Sequence, residues 1–168
     1  MPADKMQSAI RHGVVIDTNV LFDYLVGLYI KNSQTPAPSD LKSDPEDFKI
    51  LDRILPLLSL SITPHVLTET YALLKIRHKT RAKEIMKNGL NYLLKISEIN
   101  VHKDSILLHS LFEEVGVADT ALINCSEKEK YYVLTDEKEL RGRMESRNMN
   151  VLGLDNLYAF YYNLPGPA

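Results

Sequence analysis

Short apolar runs alternate along this chain with longer stretches in which apolar residues return every three or four positions. Val14-Val15-Ile16, ending at Asp17, has the unbroken apolar character of a strand buried on both faces of a parallel sheet. Val20, Tyr24 and Leu28 then recur at helical spacing, predicting a helix from Asn19 to about Tyr29. Residues 31–40 are polar with two prolines and read as a loop. Asp44-Pro45 is a cap followed by a first-turn proline, and the helix it opens should end by Leu55, before Pro56. Leu57 to Ile62 reads as a second strand, and Thr63-Pro64 opens a helix reaching Lys75 or beyond. A further helix spans about Arg81 to Lys95, with Gly89 weakening its middle, and Ile96 to Val101 is a short extended piece.

The second half keeps the same rhythm. Asp104–Glu114 and Ala118 to about Lys128 read as two helices, Tyr131–Leu134 as a strand, Glu137–Arg147 as a helix and Val151–Leu154 as a last short strand. Asp155 can cap a final helix with Leu157, Phe160 and Tyr161 turned inward. Strands alternating with helices predict an α/β domain with a doubly wound, Rossmann-like parallel sheet and extra helices in the middle.

Composition narrows the class only a little. With 168 residues, 45% hydrophobic and 25% charged, the chain has the make-up of one ordinary globular domain. Its 20 Lys and Arg against 22 Asp and Glu give a net charge of −2, so any nucleic-acid surface must be local. A lone Cys125 rules out an internal disulfide and suits a reducing compartment. Residues 1–12 lack a signal-peptide core and no stretch approaches a membrane span, so a cytoplasmic protein is expected.

The candidate chemistry lies in acids that follow apolar runs or open helices. Asp17 ends the first strand; Glu69 lies two turns into the helix begun at Thr63-Pro64. Asp119 comes just after Val115-Gly116-Val117-Ala118, and Asp136 follows Tyr131-Tyr132-Val133-Leu134-Thr135. In an open α/β sheet, ligands bind beyond the carboxyl ends of the strands, where such acids converge. Carboxylates without Cys, and without His repeated at ligand spacing, suit a hard divalent cation bound through oxygen. Each acid also has a plain structural role: Asp17 and Asp119 suit helix starts, Asp136 with Glu139 fits a capping box, and a mid-helix Glu69 is ordinarily solvated.

Four segments, in order, carry a resemblance: Val15-Ile16-Asp17-Thr18-Asn19-Val20-Leu21, Thr63-Pro64-His65-Val66-Leu67-Thr68-Glu69, Ala118-Asp119-Thr120-Ala121-Leu122-Ile123 and Leu134-Thr135-Asp136. Together they resemble the PIN domain, the nuclease fold of VapC-type toxins and RNA-processing enzymes, over roughly residues 13–155. The resemblance implies that Asp17, Glu69, Asp119 and Asp136 are catalytic metal-site residues for Mg²⁺ or Mn²⁺. Thr18, Asn19 and Thr135 would be supporting polar groups, and Asp136 would act directly or through water. The implied activity is hydrolysis of single-stranded or loop RNA, in a toxin paired with an antitoxin protein or in a free-standing processing enzyme. A non-catalytic PIN-like module binding RNA or protein is the alternative.

Two other acid-bearing classes fit worse. A phosphoacceptor receiver wants adjacent acids after the first strand, where Asp17 stands alone; an Asp-x-Asp phosphatase wants Asp where Asn19 stands.

For the RNA itself, Lys75, Arg77, Lys79, Arg81, Lys83 and Lys87 oppose only Glu84, a local balance of +5 directly after the Glu69 helix. The same residues suit a solvated helix face equally well. Lys138, Arg141, Arg143 and Arg147 form a second stretch, diluted by neighbouring acids. Against a minimal toxin-like domain, residues 1–12 form an N-terminal lead and 31–50 an insertion. Residues 156–168 form an aromatic C-terminal helix and tail, suited to packing on the sheet or to a homodimer contact.

Overall fold

A computed structural model describes residues 2–33, 41 and 44–164. Among them a five-stranded, wholly parallel sheet has the order β3-β2-β1-β4-β5. Its strands are β1 (Val14–Ile16), β2 (Leu60–Ile62), β3 (Ser97–Glu98), β4 (Tyr132–Leu134) and β5 (Val151–Leu152). The central pair is registered Val14 to Tyr132, Val15 to Val133 and Ile16 to Leu134. Every residue of β1 and β4 is buried, which accounts for their unbroken apolar character. The chain winds from β1 outward through β2 to β3, then returns to place β4 and β5 on the other side of β1. The strand order therefore reverses between β1 and β4, and a crevice opens beyond their carboxyl ends.

Helices flank this sheet. They are α1 (Pro2–His12), α2 (Thr18–Asn32), α3 (Pro45–Ile54), α4 (Pro64–Arg77), α5 (Ala82–Leu93), α6 (Lys103–Leu107), α7 (Phe112–Glu129), α8 (Lys138–Ser146) and α9 (Leu154–Asn163). Asp44 caps α3 through the Glu46 and Asp47 amides, and Thr63 caps α4 through the Val66 amide, each followed by its first-turn proline. Gly89, a weak point for a lone helix, is where α5 meets α2: a Cβ there would run into Leu25. Packing needs the missing side chain, and the helix continues through it.

Three local differences from the sequence reading have simple causes. Residues expected as an N-terminal lead form α1, which packs against α9 and buries Met6 and Ala9 completely. The strand expected from Leu57 is shorter, because Leu55–Leu57 close a 3₁₀ turn around Pro56. The helix expected over 104–114 is divided: α6 ends at Leu107, and α7 starts at Phe112. Most of the expected loop of 31–40, and with it part of the expected insertion of 31–50, lies outside the described residues. No helix among the described residues is long and apolar enough to cross a membrane.

Candidate active site

Asp17 stands at the carboxyl end of β1, where the chain turns into α2. Its backbone is extended, and its amide donates to Leu134 O of β4 at 2.9 Å, so the sheet itself fixes its position. The side chain is only 2% exposed. Oδ1 accepts from the Thr18 amide at 2.5 Å and Oδ2 from the Thr135 hydroxyl at 2.6 Å. Burial pushes the carboxyl up to about 6, although both hydrogen bonds favour its charged form. The helix cap and the cleft residue are thus one and the same side chain.

Glu69 reaches the same place from the second turn of α4. It is largely exposed, and its Oε2 accepts from Thr18 Oγ1 at 2.8 Å. Thr18 therefore links two acids, one through its amide and one through its hydroxyl. Asp119 comes from α7, and Gly116 determines how. At Gly116 the backbone takes φ +82° and ψ −172°, breaking the helix so that a fresh segment begins at Val117. Thr120 Oγ1 donates back to Gly116 O at 2.5 Å and closes the new start. Asp119 is then a first-turn residue, as its sequence position suggests. Burial, followed by the charges of Asp17, Glu137 and Glu69, pushes its carboxyl up to about 7.

The fourth acid facing this cleft is Glu137, not the expected Asp136. Just beyond β4, Thr135 is buried and Glu137 half-buried in the cleft wall, while Asp136 is exposed. Thr135 is wholly buried, gives its hydroxyl proton to Asp17, and accepts from the Glu137 amide at 3.0 Å. Glu137 consequently lines the cleft with Asp17, Glu69 and Asp119. Asp136 is exposed; burial and the charge of Asp47 raise its pKa, and it raises that of Asp23, whose own burial takes it to about 6. The capping box expected from Asp136 and Glu139 is also replaced, since Glu137 holds the N-cap position of α8 without a side-chain bond.

The cleft has a volume of about 240 Å³, and Asn19, Leu73 and Gly116 contribute to its walls. It occupies the crevice between β1 and β4. Its donor set is entirely oxygen, which fits a hard cation, and burial, with the neighbouring acids adding to it, raises the pKa of Asp17 and Asp119. Among the described residues no three His, Cys, Asp or Glu side chains stand close enough to hold an ion together.

The cationic stretch runs from the end of α4, with Lys75 and Arg77, through the following turn into α5, with Lys83. Lys75, Arg77, Lys79 and Lys83 are exposed, and Arg81 is partly so. The Arg77 guanidinium sits 5.3 Å over the Phe22 ring, and the His78 ring stacks on Phe22 at 5.6 Å. Lys75 sits 5.6 Å over Tyr71. In the second stretch, Arg141 is bound to Asp155 and Glu145, and Arg143 to Glu114 and Glu139. The aromatic end of the chain is used largely within it: Leu157 is fully buried, and Tyr158 and Tyr162 donate to Asp47 and Glu46 of α3.

The sequence reading missed Glu137. The available signal was Thr135 itself, whose hydroxyl is placed to receive an amide two residues on and so to fix Glu137. Comparison of the chain with protein-family models and with curated proteins gives no match.

Proposed function

We propose that this protein is a divalent-cation-dependent endoribonuclease of the PIN-domain type, hydrolysing single-stranded or loop RNA at the Asp17 cleft. The observation that carries this reading is the convergence of Asp17, Glu69, Asp119 and Glu137 on one cleft at the switch point of a parallel sheet. The ordered motifs around Asp17, Glu69 and Asp119 support it, and so does Thr135, whose hydroxyl serves Asp17. The residues that would hold Mg²⁺ or Mn²⁺ are drawn from Asp17, Asp119, Glu69 and Glu137. Such an ion, when bound, offsets phosphate charge and lowers the pKa of water.

The chain's own groups do the positioning. Thr135 and Thr18 hold both Asp17 oxygens in fixed directions, so the carboxylate needs no reorganisation on binding. Thr18 also orients Glu69. The exposed cations at the end of α4 supply a path for RNA phosphates leading toward the cleft. An antitoxin protein covering the acids, or a free-standing role in RNA processing, are the two settings in which this chemistry would serve.

The competing reading is a non-catalytic RNA- or protein-binding module. It leaves unexplained why four carboxylates line one cleft, two of them buried enough to be raised in pKa, an arrangement that costs stability without a cation. The discriminating experiment is incubation of mixed single-stranded RNA with Mn²⁺ and either the natural protein or Asp17→Asn. Cleavage by the natural protein, lost in Asp17→Asn and in chelator, is the expected result. Cleavage that survives the substitution, or none despite bound Mn²⁺, would remove the nuclease assignment.

A further inference from the structure

A second hollow, of about 340 Å³, adjoins the acidic cleft and is lined by Pro64, His65, Thr68, Glu69, Val117 and Ala118. It shares Glu69, Val117 and Ala118 with the cleft, so the two form neighbouring compartments with a common wall. The hollow lies between the first turns of α4 and the start of the second segment of α7. We infer that it receives one unstacked nucleobase next to the scissile phosphate, and that His65 reads the edge of that base. This rests on the nuclease reading above and adds a substrate requirement to it.

The two compartments differ as the parts of a nucleotide differ. The acidic one suits a cation-bridged phosphate. The second is bounded by the Pro64 ring, the imidazole of His65 and the side chains of Val117 and Ala118, surfaces on which a flat heterocycle rests without losing hydrogen bonds. Val117 is 47% exposed, an apolar side chain that the fold itself leaves uncovered at the mouth of the site. Its volume falls in the ~300–1,000 Å³ range of small-ligand pockets.

His65 supplies the polar contact. Its Nδ1 is buried without a hydrogen-bond partner, and the tautomer that leaves no buried N–H unpaired has the lone pair on Nδ1. The ring proton is then on Nε2, the nitrogen left to serve a ligand as donor. Thr68 has already given its hydroxyl proton to Pro64 O at 2.8 Å and has only acceptor capacity to offer. One donor from His65 and one acceptor from Thr68 distinguish base edges by where their own acceptors and donors lie. A base inside a helical stack has no access to such a hollow, so the substrate must present an unpaired nucleotide beside the cut.

The test is the base preference next to the cut, read by sequencing the ends produced from random single-stranded RNA. The natural protein should favour one base by about tenfold, the worth of one well-placed hydrogen bond. His65→Ala, which removes the donor, and Val117→Trp, which fills the hollow, should each reduce the preference below about threefold, while His65→Asn, which keeps an N–H, retains part of it. Mn²⁺ titration and the Asp17→Asn control run beside these. Cleavage that depends on Asp17 but keeps its preference in all three variants overturns the base pocket alone and leaves the hollow to a protein side chain. Failure of the natural protein to bind Mn²⁺ or to cut removes the nuclease reading, and the base pocket with it.

Discussion

Replacing Asp119 by Asn should stabilise the cation-free protein, and by an amount that depends on pH. The carboxyl is raised from 3.8 to about 7 by burial and by Asp17, Glu137 and Glu69. Its folded pKa lies above its unfolded one, so across that window the folded chain keeps a proton that the unfolded chain has lost. Stability therefore falls as pH rises from about 4 to 7 and levels off above it. A three-unit shift corresponds to a ceiling of ~4 kcal/mol, and solvent screening at a partly buried group reduces it to about 1–2 kcal/mol. Asn keeps the shape and carries no charge. Urea unfolding in chelator should find Asp119→Asn more stable than the natural protein by that amount near pH ~8, with the two converging near pH ~4. Equal or lower stability of the variant at the higher pH would refute the claim that burying this carboxylate among the other acids costs stability.

Glu137→Gln should weaken Mn²⁺ binding by about tenfold or more, while Asp136→Asn stays within about threefold, both read by calorimetric titration; the reverse ranking would restore Asp136 as the fourth acid. Thr135→Val removes the donor to Asp17 and the acceptor for the Glu137 amide, at about 1–3 kcal/mol in urea unfolding, whereas Thr135→Ser should recover most of it. Gly116→Ala meets no neighbouring atom within 4 Å, so its cost should be the positive-φ backbone alone, ~1–3 kcal/mol; a neutral outcome would mean that the helix break is not fixed there.

The legible parts of this chain were those governed by local pattern. Val14–Ile16 and Tyr132–Leu134 are buried on both faces, so their runs are unbroken, and the prolines after Asp44 and Thr63 mark where α3 and α4 begin. Asp17 and Asp119 were readable because each sits at a turn of the chain that the sequence itself announces. What escaped was set by contacts between distant segments. α1 owes its place to packing against α9, and Met6 and Ala9 alone do not announce that partner. Glu137 faces the cleft because the Thr135 hydroxyl, anchored on Asp17 more than a hundred residues away, also receives the Glu137 amide. An Asp immediately after a strand invites selection by motif; which acid enters the cleft depends on how the chain turns beyond the strand, here through the Thr135 hydroxyl.

The measurement that bears most directly on the central claim is calorimetric titration of Mn²⁺ into the natural protein and into Asp17→Asn, near neutral pH and in buffers of different ionisation heat. The account predicts saturable binding by the natural protein accompanied by proton release, because Asp17 and Asp119 hold protons in part near pH 6 and 7 until a cation displaces them. Asp17→Asn should lose at least about tenfold in affinity and much of the proton release. Absence of binding, or binding indifferent to Asp17→Asn, would contradict the assignment of this cleft as a metal site.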